Sequence, residues 1–208
     1  MYGVGTSNYN NLVVGILGKR GQGKTTLMKH FLASELKKNR DVLMFFPNDY
    51  HHYSKNLYRL IISGEFRLDD VPAYLKSYMM KNNRELSIFI DELDMFNERD
   101  ENIAFIFNFS RNFKTNIFYV AKRTANISKK AVSQTDKFYV FKHTELNDLK
   151  RLRQINEKLF ELAPKLQKLN CIEIEDNDIR HLIKFKINFE KLEEEINYRL
   201  EKLEKLVV

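Results

Sequence analysis

Residues 18–26 read GKRGQGKTT, and within them Gly18, Gly23, Lys24 and Thr25 stand at the spacing G-x-x-x-x-G-K-[ST]. Each position answers a requirement of a phosphate group. Glycines let the backbone turn tightly enough for successive N–H groups to face one anion, and the partial positive charge of a following helix N-terminus adds to them. A lysine at position 24 reaches the outer phosphates of a nucleotide, and a hydroxyl at position 25 ligates Mg2+. Gly21, Gln22 and Thr26 complete the stretch expected to line the phosphates.

The flanks give the loop its setting. Leu12–Leu17 (LVVGIL) is an apolar run with the character of a buried strand, and from Thr25 to Lys38 the apolar residues Leu27, Phe31, Leu32 and Leu36 recur at helical spacing. A strand, this loop and a helix form the complete P-loop context. Further strands are predicted at Asp41–Phe46, stopped by Pro47, at Leu86–Ile90 (LSIFI), at Asn116–Ala121 and at Lys137–Phe141. Helical spacing lies between them at Tyr50–Ile62, Val71–Met80 and Glu101–Phe113. Strands alternating with helices predict an α/β fold, a parallel sheet with helices on both faces.

From Leu146 the pattern changes. Leu146–Leu162 reads as one helix closed by Pro164, CIEIED and HLIKFKI alternate in period two around Asn177 as a hairpin would, and Phe189, Leu192, Ile196, Leu200, Leu203 and Val207 mark an amphipathic terminal helix expected to pack on its own core. The expected division is a core of residues 1–165 and an appendage of residues 166–208.

The 208 residues, 43% hydrophobic with 16 Phe and 10 Tyr but only 3 Pro and 7 Gly, favour one well-packed core over two domains joined by a linker. A net charge of +7 suits polyanionic partners or a merely solvated basic surface. The single cysteine, Cys171, excludes an internal disulfide and cysteine-based metal clusters. No apolar stretch approaches the roughly 18 residues of a membrane span, and the N-terminus lacks a signal-peptide pattern, so a soluble, cytoplasmic protein is expected.

The stretch SIFIDELD, residues 87–94, supplies the acidic counterpart of the loop. Asp91, ending an apolar strand, suits a Mg2+ carboxylate, and Glu92 suits the base that polarises an attacking water, whereas Asp94 is expected to be solvated. A hydrolytic Glu directly after the metal Asp points to an ATPase with an additional strand between the loop strand and the Asp strand, for which Asn116–Ala121 is the candidate. No Asn-Lys-x-Asp guanine-reading sequence is present. The expected ligands are ATP and Mg2+, in a three-layer, RecA-like P-loop fold.

The order of the loop, of IFIDELD and of SRNFKTNIFYVAKRTANISKKAVSQTDKFYVFKHTELNDLKRL resembles the FtsK/HerA superfamily of DNA-translocating and DNA-packaging ATPases, over roughly Leu12–Leu152. Ala121-Lys122-Arg123-Thr124, Ser133-Gln134-Thr135-Asp136 and Asn147-Asp148-Leu149 fall where that family carries short motifs in the same order. The resemblance implies hexameric rings that hydrolyse ATP at subunit interfaces and thread double-stranded DNA, with Arg111 of SRNFKT as the finger acting on a neighbouring subunit. It places Lys122 at the sensor position, usually Gln, and Arg123 beside it at the nucleotide or subunit interface. A cation at 122 strengthens phosphate binding, replaces a finger, or marks an altered ATPase.

The segment FFPNDYHHYSK also departs from the family pattern, and His51 and His52 within it have no partners at metal spacing. The short N-terminal lead resembles compact genome-packaging ATPases of icosahedral DNA viruses and related mobile elements, with a capsid as docking partner and the host cytoplasm as location. A HerA-like cellular motor with a nuclease partner and a nucleotide-gated assembly protein with weak hydrolysis are the competing readings. Lys55, Arg59, Lys129 and Lys130 are loop or helix-end cations that can face a DNA pore, although such residues are more often solvated charges.

Overall fold

The apolar runs pair into one sheet. The structure, a computed structural model, describes residues 11–38, 40–45, 72–73, 75–77, 85–96, 101–184, 191–192, 194 and 196–198. The expected helix at Tyr50–Ile62, the His51–His52 pair, Lys55 and Arg59 lie outside these residues, as does most of Val71–Met80. The P-loop strand β1 (Val13–Leu17) is buried throughout and leads through the loop into helix α1 (Lys24–Lys37). Strands β2 (Asp41–Phe45) and β3 (Leu86–Ile90) follow, then helix α2 (Glu101–Asn112) and strand β4 (Thr115–Ala121). A short helix α3 (Lys129–Ser133) precedes β5 (Lys137–Val140), and helices α4 (Leu146–Ile155) and α5 (Leu159–Leu162) lead to strands β6 (Asn170–Glu175) and β7 (Asp178–Lys184).

The sheet has seven strands in the order β2-β3-β4-β1-β5-β6-β7. The first five pair in parallel, and β6 and β7 are antiparallel additions. Strand β4 lies between β1 and β3, so the additional strand stands where the Asp-Glu sequence requires it. Leu17 of β1 pairs with Ala121 on one side and Val140 on the other, so three strands end at one edge.

Alternation along the strands sorts the core into two layers. Val14, Ile16, Phe89 and Phe118 face α1 through Leu27, Met28, Phe31 and Leu32, and Leu192 and Ile196 of the C-terminal helix join this layer. Val13, Leu17, Ile88, Ile90 and Ile117 face the opposite side, covered by Ile106 and Phe107 of α2 and Leu149, Leu152 and Ile155 of α4. Sheet and two helical layers make the expected three-layer architecture.

The hairpin is a two-residue turn in which Asp176 and Asn177 take φ of 52° and 61°, the left-handed pair that matches strand twist. It extends the main sheet through pairing of β6 with β5. The single helix expected over Leu146–Leu162 is instead two. Asn156 is extended (φ −154°, ψ 130°), its amide donates 2.6 Å to the Asn177 carbonyl, and its side-chain oxygen accepts the Lys158 N–H at 3.0 Å. Leu149, Leu152, Ile155 and Leu159 keep helical spacing across the break because all four bury into one layer. Apolar period alone therefore does not show the interruption.

At the sheet edge opposite the loop, a buried polar network ties α1 to three strands. Glu35, 2% exposed, accepts from Ser87 Oγ at 2.6 Å and Asn116 Nδ2 at 2.8 Å and pairs with Arg40 Nε at 3.2 Å. Arg40 also donates to the Leu86 and Lys114 carbonyls, and Asn116 accepts the Leu12 N–H. Burial pushes the Glu35 carboxyl upward, but the hydrogen bonds from Ser87, Lys38 and Asn116 outweigh it and hold the group below its usual value of 4.5. Its stabilisation is complete above that pH and is lost as pH falls through the lower folded value. Glu35→Ala, which leaves Arg40 buried without its central partner, is expected to lower the unfolding free energy by about 3 kcal/mol in chemical denaturation.

Candidate nucleotide-binding site

The phosphate loop springs from the convergence of three strand ends. Gly18 N–H donates to the Ala121 carbonyl of β4 and Lys19 N–H to the Lys142 carbonyl beyond β5, both at 3.1 Å. A Cβ at Gly18 would lie 2.6 Å from the Phe141 Cβ, so only glycine passes here. Gly23 turns the chain into α1 at φ 110° and ψ 8°, a conformation closed to other residues, and a Cβ there would meet Leu169 Cδ2 at 2.8 Å. The first turn of α1 holds neither a carboxylate nor a side-chain cap, so its N–H groups and dipole remain available to an anion.

Lys24 lies across this cradle. It is 5% exposed, and its ammonium donates to the Lys19 carbonyl at 2.7 Å. Burial first, then the charge of Lys122, lowers its pKa to about 8 against the opposing pull of Asp91, Asp94 and Glu92. Among the described residues no carboxylate comes within ion-pair distance of it. A bound phosphate supplies the missing negative charge, which is why the chemistry of the loop fits a nucleotide.

The acidic tip of β3 lies within electrostatic reach of Lys24. Asp91 accepts the Glu92 N–H at 3.0 Å, and Glu92 adopts φ 56° and ψ 47°, which costs a non-glycine residue about 1–2 kcal/mol. That strained turn carries the Glu92 carboxylate to the ammonium of Lys122, with which it forms an ion pair. Asp94 is not a solvated residue as expected. It accepts the backbone N–H groups of Lys122 at 2.9 Å and Arg123 at 3.0 Å, fastening the β3 tip to the end of β4.

The turn after β4 has two further anchors. Asp148, 1% exposed, accepts the Ala125 N–H at 2.9 Å and pairs with Arg123 Nε at 3.2 Å. His143, wholly buried, bridges Thr124 Oγ1 at 2.8 Å and the Phe141 carbonyl at 3.0 Å. The carbonyl requires a donor at Nδ1, so Nε2 accepts the threonine hydroxyl. Burial lowers the His143 pKa and keeps the ring neutral.

The structure thus brings Gly18, Gly23, Lys24, Asp91, Glu92, Lys122 and Arg123 to one sheet edge, with Gly21, Gln22, Thr25 and Thr26 on the loop and the first turn of α1. Arg111 stands apart. It lies in the last turn of α2, ahead of β4, and the seven residues of that strand put about 20 Å between it and the loop of its own chain. Sequence reasoning missed Asp94, Thr124 and His143 as anchors. Asp94 carried a signal in the density of carboxylates in IDELD, and Asp148 stood in the Asn-Asp-Leu segment without an assigned partner.

The family described as AAA domain matches residues 10–136, more than half of the chain, and the chain belongs to that family of P-loop NTPases. No curated protein matches it by sequence. Among solved structures it is similar to the genome packaging NTPase B204 of Sulfolobus turreted icosahedral virus 2, with TM-score 0.67 and 16% identity over 86% of this chain and 100% of that one. It is similar also to the pCW3 conjugation coupling protein TcpA, with TM-score 0.67 and 13% identity over 93% of this chain and 65% of that one. For EssC (ATPases 2 and 3) of Geobacillus thermodenitrificans the TM-score is 0.65 and the identity 14%, over 94% and 44%. At these identities the likeness establishes the fold.

A lysine titrating near pH 8 gives phosphate binding a pH signature. The bound anion favours the charged ammonium, so binding takes up a proton wherever free Lys24 is partly neutral. Affinity for ATPγS is expected to weaken as pH rises above about 8. Calorimetry at that pH in buffers of different ionisation enthalpy should show proton uptake by the wild type, and Lys24→Met should bind weakly without it.

Proposed function

We propose that this chain is an ATP-hydrolysing DNA translocase that packages or moves a viral or mobile-element genome through an oligomeric ring, working in the cytoplasm. The observation that carries the hydrolytic reading is the convergence of Lys24, Asp91–Glu92 and Lys122 at one sheet edge, with β4 inserted between the loop strand and the acidic strand. Support for the DNA reading comes from the B204 fold, matched over the whole of that chain, and from the net charge of +7. Among the described residues no helix is long and apolar enough to cross a membrane.

In this reading Lys24 and the N–H groups of the loop hold the β- and γ-phosphates of ATP. Thr25 and Asp91 hold Mg2+, which offsets phosphate charge when bound. Glu92 accepts a proton from the water whose oxygen bonds the γ-phosphorus while the bond to the ADP oxygen breaks. Lys122 controls when Glu92 is available. Its ammonium neutralises the carboxylate until the γ-phosphate offers a competing anion, and Glu92 then takes the proton. Arg111, remote from its own loop, acts on the nucleotide of a neighbouring subunit across a ring, proposed to be hexameric.

The Lys122–Glu92 pair also favours a second reading, a nucleotide-gated assembly protein in which ATP drives oligomerisation and turnover is residual. Activity measurements separate the two. Duplex DNA is expected to stimulate ATP turnover, and Lys24→Ala or Glu92→Gln to abolish it. Equal turnover with and without DNA would count against translocation, and ring formation without turnover would select the assembly reading. Lys122→Gln, which removes the neutralising charge and keeps a hydrogen-bonding group, should change kcat at least several-fold while leaving affinity for ADP unchanged.

Subunit mixing tests Arg111. Glu92→Gln and Arg111→Ala chains, each inactive alone, are expected to regain partial turnover when mixed, because some interfaces then join an intact base to an intact arginine. Mixtures that remain inactive would count against Arg111 acting on the nucleotide of a neighbouring subunit.

A further inference from the structure

Behind the turn that carries Lys122 and Arg123 runs a second feature of opposite electrostatic character to the acidic tip. A groove of about 300 Å3 is bounded by Ile127, Lys129, Asn147, Lys150, Arg151 and Gln154, and no carboxylate lines it. Lys129 and Lys150 are exposed on its rim. Arg151 is half-buried in its wall, donating to Gln154 Oε1 at 2.6 Å and to the Ile127 carbonyl at 3.2 Å, and its Nε is buried with no partner.

Outside the phosphate loop, the buried Arg40 and the half-buried Lys137 are neutralised. Arg40 has Glu35 and Glu85, and Lys137 has Glu173 and Glu175. Arg151 has only neutral acceptors among the described residues. A guanidinium partly withdrawn from water without a counter-charge retains its demand for an anion. Two flanking ammonium groups and the Asn147 and Gln154 amides give that anion the setting of a phosphate. The adjoining hollow of about 450 Å3 shares Lys129, Arg151 and Gln154 but reaches Asp136 and Asp176, so the phosphate-compatible stretch ends there.

The groove and the nucleotide site are two sides of one turn. Arg151 holds the Ile127 carbonyl, while Asp148, three residues earlier on α4, holds the Ala125 N–H and Arg123. Any shift of Arg151 toward a ligand therefore bears on the segment that positions Lys122. We propose that this groove contacts backbone phosphates of duplex DNA and relays DNA binding to the nucleotide site through the Thr124–Asn126 turn. This rests on the translocase reading above.

The test pairs a Lys129→Ala/Lys150→Ala chain, altered only at exposed positions, with Arg151→Gln, which retains hydrogen bonding. Duplex DNA affinity is measured by fluorescence anisotropy across a salt series, and ATP turnover with and without DNA. For the double variant the slope of log affinity against log salt should fall by about two, near one per cation removed. For Arg151→Gln it should fall by about one. DNA-stimulated turnover should drop at least fivefold in both, with DNA-free turnover unchanged and Lys184→Ala, on β7, behaving as wild type.

Unchanged slopes and stimulation in an active, DNA-stimulated protein would overturn the groove assignment and leave the translocase reading standing. Reduced slopes with full stimulation would overturn the relay. A wild type that neither retains DNA nor responds to it would remove both readings. Protection of the groove by inorganic phosphate without any DNA retention would make it a small-anion site and overturn the DNA assignment.

Discussion

The structure depends on three parallel strands ending in register. Because Leu17 lies level with Ala121 and Val140, the chain leaving β1 meets open carbonyls on both sides, and Gly18 and Lys19 donate one N–H to each. The loop is thereby hung between β4 and β5 before its glycines begin to turn. Residues that follow those two neighbours, Lys122 and Arg123 on one side and Lys142 to Thr144 on the other, are brought to the loop by register alone. Lys19 Nζ reaching Thr144 Oγ1 at 2.8 Å shows how close that approach is. A one-residue slip of β4 would turn its faces over and remove Lys122 from Glu92.

Charge at this edge is arranged as a competition. Lys24 is repelled by Lys122 and drawn to Asp91, Asp94 and Glu92, and burial lowers its pKa further. Asp94 is occupied by two backbone N–H groups, and Glu92 by the Lys122 ammonium. Lys24 is left with a carbonyl oxygen. The site thus concentrates positive charge where phosphate enters while keeping its carboxylates engaged with groups of the chain itself. The left-handed backbone of Glu92 is sustained by the same contacts, since Asp91 accepts the Glu92 N–H and Lys122 holds the side chain.

The fold was legible wherever local pattern and tertiary environment agree. Apolar runs mark strands covered on both faces, Gly18 and Gly23 mark turns where a side chain would clash, and Asp176-Asn177 mark the hairpin because each tolerates a left-handed conformation. The Glu that follows Asp91 pointed to an additional strand, and β4 lies between β1 and β3. Legibility failed where a polar side chain acts on distant backbone. The break at Asn156 comes from its bonds to the hairpin turn, the engagement of Asp94 comes from N–H groups 28 and 29 residues away, and the clamp of His143 on Thr124 spans 19. None of these has a period or a spacing, because the partner is chosen by the sheet order.

That same dependence on sheet order ties the phosphate-loop edge to the helical layer beside it. Asp148 is almost fully buried, yet it spends its two oxygens on the turn after β4, one on the Ala125 N–H and one on Arg123. Replacing those bonds by apolar packing would leave the turn free to choose its own conformation, and Lys122 with it. Asp94 acts from the other side, so the Lys122–Arg123 backbone is held between a carboxylate of the β3 tip and one of α4. A segment gripped from two elements moves only when one of them moves. This makes α4, which carries Arg151 one turn beyond Asp148, the mechanical neighbour of the Lys122–Glu92 pair although no residue of it reaches the phosphate loop through a hydrogen bond among those described.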